Sequence, residues 1–153
     1  MFDIDGVVAD VRHRLHHLES TPKNWSAFFA GAAGDPALPE GVALALELSA
    51  EHDLVWLTGR PERLRRVTTD WLRNQSLPVE PLHMRGNRDF RPARQTKLAV
   101  VRELAAERTV AVVVDDDPAV VSVLKADGIA VLLADWVPYG EPLRQGQERD
   151  GRT

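Results

Sequence analysis

The run VAVVVDDDP, Val110 to Pro118, constrains this chain more than any other stretch. Apolar residues at consecutive positions, most of them β-branched, read as a strand covered on both faces, which is the parallel strand of an α/β sheet. Three aspartates follow at the strand's carboxyl end, and Pro118 is placed to open a helix. In open α/β sheets ligands bind beyond the carboxyl ends of the strands. The segment therefore predicts a fold class and, at the same point, the edge where chemistry belongs. With 153 residues the chain has the size of one domain with one core, so one active centre is expected.

Other segments repeat the pattern. Leu54 to Leu57 and Ile129 to Leu133 read as buried parallel strands, Phe2 to Ile4 as the last piece of a fourth, and Pro81 to Met84 as a weaker fifth. Helical patterns lie between them. Pro39 precedes Glu40 to Glu51, and Pro61 opens a segment to about Asn74. Thr96 to Glu107 carries Leu98, Val101 and Leu104 at helical spacing, and Ala119 to Asp127 carries Val120, Val121 and Leu124 before a stop at Gly128. This alternation predicts an α/β fold, a three-layer Rossmann-like sandwich with a mainly parallel sheet of about five strands, occupying residues 1–136. A small helical insert, Val11 to Leu38, follows the first strand. The tail 137–153, rich in Gly, Pro and charge, is expected to be flexible. The first strand is short: only Met1 and Phe2 precede Asp3, where a strand normally has about five residues, so it is either clipped or continued upstream.

Composition removes several function classes. No apolar run approaches the ~18 residues of a membrane-spanning helix, and no signal-peptide pattern opens the chain, so a cytoplasmic setting is expected. The absence of cysteine excludes disulfides, thiolate metal sites and a cysteine nucleophile. The net charge of -4 hides an asymmetry: Arg60 to Arg108 holds twelve Lys and Arg against six acids, locally +6 by subtraction. A solvated helix surface accounts for most of these arginines singly. A basic middle between acidic ends also suits an anionic substrate held beside a cation.

The predicted strand ends carry Asp3 with Asp5, Thr58-Gly59-Arg60, and Asp115-Asp116-Asp117, while Lys97 sits near the start of a helix. Carboxylates meeting at one sheet edge repel unless a positive charge lies between them. A hard divalent cation, Mg²⁺, meets that need, with Asp3, Asp5, Asp115 and Asp116 as candidate ligands. Asp117 directly precedes Pro118 and is explained by helix capping alone. Asp3 is placed as a nucleophile toward phosphorus, and Asp5, in the turn that Gly6 permits, as general acid and base. Thr58 and Lys97 offer a hydroxyl and a compact positive charge to a transferred phosphoryl group.

The ordered set DxDG, LTGR, Lys and DDD resembles the haloacid dehalogenase superfamily of phosphohydrolases, from Phe2 to about Leu133. The resemblance implies the same roles for Asp3, Asp5, Thr58, Lys97, Asp115 and Asp116, and its second aspartate favours phosphatase over dehalogenase. Val7 stands where many relatives have threonine. A closer likeness is to the 3'-phosphatase domain of bacteriophage-type polynucleotide kinase-phosphatases. It rests on HRLHHL (His13 to Leu18), KNWSAFF (Lys23 to Phe29), LTGRPERLRRVTTDWL (Leu57 to Leu72), MRGNRDFRPARQTK (Met84 to Lys97) and VVDDDPAVV (Val113 to Val121). It implies substrate contacts from Gly59, Arg60, Arg85, Arg88 and Arg91, with His13 and Arg14 of the insert as further candidates. No GxxxxGK[ST] loop is present, so the kinase half of the bifunctional enzymes is missing from this chain.

His13, His16 and His17 make a poor metal site, since Zn²⁺ usually needs three or four well-placed ligands. Trp25, Phe28 and Phe29 are spaced to stack a base or, more simply, to form the apolar face of a helix. The insert is too short for a large cap, which favours nucleotides or nucleic acid ends over small sugar phosphates.

The leading expectation is a Mg²⁺-dependent phosphatase acting on polynucleotide 3'-phosphate ends or nucleotides. A 5'-nucleotidase or general phosphomonoesterase is its rival. A phospho-accepting receiver module uses similar residues but places its aspartate mid-chain and its lysine last, whereas here an acidic cluster follows Lys97. A silent binding domain is opposed by the full set of catalytic residues.

Overall fold

The structure, a computed structural model, describes residues 1–152. Among these residues four strands form, in two parallel pairs. β1 (Trp56–Pro61) pairs with β2 (Leu82–Arg85), with Trp56 opposite Leu82. β3 (Val113–Asp115) pairs with β4 (Val131–Leu133), with Val113 opposite Val131.

The expected sheet of about five strands is corrected at its centre. The N-terminal segment forms no strand; Phe2 alone makes a parallel bridge to Trp56 on one side and to Val114 on the other. Phe2 N–H donates to Val55 O at 2.8 Å and Asp3 N–H to Val114 O at 2.9 Å. These bonds stitch the two pairs together in the order β2, β1, Phe2, β3, β4. A ladder needs consecutive extended residues, and here they end almost at once: Val8 and Ala9 N–H both turn back to Ile4 O at 2.9 Å. β3 begins at Val113 instead of Val110, since the outermost bond at that end is the Met1 amine donating to Val112 O at 2.7 Å.

Successive residues on a strand face opposite ways, and the core divides accordingly. Phe2, Trp56, Leu82 and Val114 pack with Ala45 of α2 (Pro39–Ser49) and with Trp71 and Leu72 of α3 (Arg65–Asn74). Leu57 and Val113 pack with Ala93 and Val101 of α4 (Ala93–Glu107) and with Val120 and Leu124 of α5 (Pro118–Ala126). Helices thus cover both faces of the parallel pairs. Each large apolar side chain fully buried in these clusters contributes about 1.5–3 kcal/mol relative to an exposed one.

A third cluster lies in the insert, which runs through a 3₁₀ turn (Arg12–Leu18), α1 (Trp25–Ala30) and a second 3₁₀ turn (Gly31–Gly34). Val11, Leu18, Phe28 and Phe29 are buried there together with Leu143. Phe28 and Phe29 therefore serve as the apolar helix face. Leu143 belongs to the tail, where α6 (Glu141–Gln145) and a π-helical turn (Gly146–Asp150) follow Trp136. Leu143 is 1% exposed within this Gly- and charge-rich segment. Lys23 Nζ meets Asp150 at 3.1 Å, and Arg94 at the start of α4 pairs with Glu148, so the tail links the insert to α4. No helix among the described residues is long and apolar enough to cross a membrane.

Candidate active site

The carboxyl ends of the strands bring together Asp3, Asp115 and Asp116, with Lys97 reaching in from the first turns of α4. Lys97 is 2% exposed, and its Nζ donates to Asp3 Oδ2 and to Asp115 Oδ2, each at 2.6 Å. The second oxygen of Asp3 accepts from Ile4 N–H at 2.7 Å, and that of Asp115 from Asp117 N–H at 3.0 Å. Asp116 Oδ1 is buried with no protein partner. One oxygen from each of the three carboxylates lies within 4.8 Å of the others.

Three buried acids face one lysine, and their proton affinities respond. Burial raises the Asp115 carboxyl to about 7, against the pull of Lys97 and with a further push from Asp3. Burial raises Asp116 well above the ordinary carboxylate range, reinforced by Asp3 and Asp115. Burial also raises Asp3, although Lys97 opposes it. Lys97 shifts the other way: burial lowers it, but Asp115 and Asp3 together hold the ammonium charged and move its pKa up. A cluster of hard oxygens short of positive charge, one of them unpartnered, fits a hard divalent cation such as Mg²⁺.

Gly6 is what lets this cluster close. Its φ of +76° lies in the region that side-chain-bearing residues avoid, and a Cβ there would fall 1.8 Å from Asp116 Oδ2. The turn after Asp5 and the seat of Asp116 thus depend on one missing methyl group.

Asp5, expected among the metal ligands, directs its carboxylate elsewhere. Its Oδ1 accepts from Arg60 Nε at 2.9 Å, Arg60 Nη2 at 2.5 Å and Arg14 Nη2 at 3.1 Å. Burial raises the Asp5 carboxyl, but Arg60 and Arg14 outweigh it and bring it below its ordinary value. The same two arginines grip a second acid. Asp35 Oδ2 accepts from Arg60 Nη2 at 2.6 Å and Arg14 Nη2 at 2.8 Å, and Asp35 Oδ1 accepts from Arg14 Nε at 2.7 Å. His13 Nε2 lies 2.8 Å from Asp35 Oδ1. Arg14 and Arg60 were expected at the substrate; they are 1% and 0% exposed and committed to Asp5 and Asp35. The Arg14 guanidinium also lies 4.1 Å from the centre of the Phe28 ring, a favourable cation–π contact.

Asp35 was not singled out in the sequence. Gly34-Asp35-Pro36 reads as an ordinary turn, and nothing local marks its carboxylate as the anchor of two guanidinium groups.

The remaining candidates divide. Thr58 and Gly59 lie buried in β1 at the same sheet edge, and Thr58 Oγ1 accepts from Arg60 N–H at 3.2 Å. Arg85 ends β2, and its Nη1 donates to the carbonyls of Arg91 at 2.7 Å and Asp89 at 3.3 Å, bracing the following loop. Arg88 is exposed, and Arg91 is exposed with its guanidinium on Asp89 at 2.5 Å. Asp117 caps α5, accepting from Ala119 N–H at 2.8 Å, as its position before Pro118 indicates.

The family model of the polynucleotide kinase PNKP phosphatase domain matches residues 1–136. The chain belongs to that family. This phosphatase domain is thereby placed in a group of phosphoric monoester hydrolases within the haloacid dehalogenase superfamily. No curated protein matches it by sequence. Among solved structures it is similar to a chain of the Pnkp1/Rnl/Hen1 RNA repair complex, with a TM-score of 0.73 and 20% identity over 92% of its length. It spans 42% of that chain. It is also similar to the class C acid phosphatase from Bacillus anthracis with tungstate bound, with a TM-score of 0.67 and 15% identity, covering 95% of this chain and 68% of the other. At these identities the likeness concerns the fold.

Proposed function

We propose that this domain is a Mg²⁺-dependent phosphatase that works through an aspartyl-phosphate on Asp3 and acts on the 3'-phosphate ends of polynucleotides. The observation that carries the chemistry is the set Asp3, Lys97, Asp115 and Asp116, in which three buried carboxylates meet and one ammonium pairs with two of them. Asp3, Asp115 and Asp116 would hold the cation, which supplies positive charge for the oxygens of the phosphoryl group. A carboxylate oxygen of Asp3 attacks phosphorus, the new O–P bond forms, and the ester P–O bond breaks. The leaving oxygen takes a proton from Asp5, which must first take that proton up against the pull of Arg60 and Arg14. Water then attacks the phosphoaspartate, giving its proton to Asp5, and inorganic phosphate leaves as the Asp3 carboxylate is restored. Lys97 and the Thr58 hydroxyl stabilise charge on the transferring oxygens.

The polynucleotide assignment is supported by membership of a family described as the phosphatase domain of polynucleotide kinase, and by fold similarity to a chain of an RNA repair complex. A broader phosphomonoesterase, a 5'-nucleotidase included, is the second reading, favoured by the fold shared with an acid phosphatase. The deciding experiment measures phosphate release with Mg²⁺ from 3'-phosphorylated oligonucleotides, 3'- and 5'-nucleotides and sugar phosphates. Preference for the oligonucleotide ends supports the first reading, and preference for sugar phosphates removes it. Asp3→Asn is expected to lose all measurable turnover; undiminished turnover would eliminate Asp3 as nucleophile.

A further inference from the structure

We propose that Asp35 is a positioning residue for proton transfer: it holds Arg14 and Arg60 so that both grip Oδ1 of Asp5 and leave Oδ2 for the substrate. The inference rests on the proposed role of Asp5 as general acid and base.

The geometry is specific. Asp5 Oδ1 accepts three hydrogen bonds from the two arginines, whereas Asp5 Oδ2 is buried and has no protein partner. A carboxylate between two guanidinium groups would ordinarily offer both oxygens to them. Asp35 competes for the same side chains: it takes Arg14 Nε for itself and shares Arg14 Nη2 and Arg60 Nη2 with Asp5 Oδ1, while Arg60 Nη1 is buried with no protein partner. Two carboxylates and two guanidinium groups then balance in charge, with all four side chains 3% exposed or less. Asp35 is itself fixed from another direction, since Trp71 Nε1 of α3 donates to its backbone carbonyl at 2.8 Å. The anchor thus joins the insert, the end of β1 and α3 at one residue. Without its charge, two buried guanidinium groups would have one carboxylate to share. Both Asp5 oxygens would be drawn into those bonds, and the atom that protonates the leaving group would be lost.

The test separates positioning from simple support by the leaving group. A nitrophenyl phosphate expels an anion that needs no proton, whereas an alkyl phosphomonoester, such as a nucleoside 3'-monophosphate, expels an alkoxide that does. The value of kcat/KM covers every step up to phosphoryl transfer to Asp3, so it reads that difference directly. For Asp35→Asn we expect a loss of about 10²-fold on the alkyl ester, the scale of general acid catalysis, and less than about threefold on the nitrophenyl ester. Asp35→Glu, which keeps the carboxylate, is expected to recover much of the loss. Both substrates are read on one preparation, so partial unfolding cancels in the ratio. Arg14→Gln cuts the same network from its other side and should give the same split.

Equal losses on both substrates, in Asp35→Asn or in Arg14→Gln, would overturn the proposal. Asp5→Asn keeps the two claims apart. If Asp5→Asn shows the split and Asp35→Asn does not, the positioning role fails while the acid/base reading stands. If Asp5→Asn itself loses both activities equally, the acid/base reading fails and this inference with it.

Discussion

Asp3 and Asp5 lie two residues apart on one short segment, yet they end in opposite electrostatic surroundings. Asp3 shares its pocket with Asp115, Asp116 and a single lysine. Asp5 shares its pocket with Asp35 and two arginines. Both clusters are buried, so solvent screens neither of them well. The difference is the charge balance. The first cluster lacks positive charge, and its acids are raised by burial and mutual repulsion. The second is balanced, and Asp5 is held below its ordinary value despite burial. A mobile cation has something to neutralise in the first cluster and nothing in the second.

The largest effect that would break this contrast is removal of the one fixed charge in the acidic cluster. Lys97→Met should lower phosphate release by about 10²-fold or more, the scale of a lost electrostatic stabiliser. In EDTA at pH 7 it should cost about 3–5 kcal/mol in urea unfolding, as expected when a buried ion pair loses one partner. Acidification to pH 5 should recover part of that stability, because the orphaned carboxylates can then take up protons. A loss independent of pH would mean that packing, not charge, is what Lys97 supplies.

Mg²⁺ should follow in size. At a hundredfold excess over Kd it is expected to stabilise the fold by about 2.7 kcal/mol, read as a rise in melting temperature at pH 7. Asp116→Asn should abolish the rise, while Asp35→Asn should leave it in place. A rise lost in both variants would show that the two clusters act as one.

The metal-free protein should also show the contrast in its pH dependence. Asp115 is raised from 3.8 to about 7 in the folded state, so the stability it contributes is complete below 3.8 and is lost as pH climbs through about 7. Asp5 is lowered, so its contribution is present above 3.8 and is lost only as pH falls further. Between those limits Asp115 sets the sign. Melting temperature in EDTA should decline from about pH 4 to about pH 7, and Mg²⁺ should flatten the decline. A curve that rises over this interval would contradict the raised pKa.

The smallest effect belongs to neither cluster. Arg88→Ala, at an exposed position on the loop after β2, should raise KM for an oligonucleotide by about two- to fivefold, with kcat unchanged and a weaker dependence on salt. A large fall in kcat would move Arg88 into the site itself.

The contrast between the clusters also marks how far the chain could be read without its fold. Lys97, Asp115 and Asp116 were legible because each lies where a buried strand ends or a helix begins, and Asp117 because its capping role is local. The alternation of apolar runs and helical patterns was likewise enough for the α/β class. Less was legible at the centre of the sheet, where an apolar segment suggested a strand and a turn back to Ile4 left only the bridges of Phe2. The tail's packing was not legible either, because the burial of Leu143 beside Val11, Leu18, Phe28 and Phe29 joins residues far apart in the chain.

By itself, then, the sequence determined the class of the fold, the acids at the strand ends and the lysine beside them, because these follow from short-range periodicity and from where a strand or helix must stop. Only the tertiary structure decided that Arg14 and Arg60 turn inward, that Asp35 anchors them and that Asp5 faces arginines and not the other acids. Buried charges are tolerated only beside partners, and these partners lie 9 to 55 residues apart along the chain. No local pattern encodes a separation of that kind.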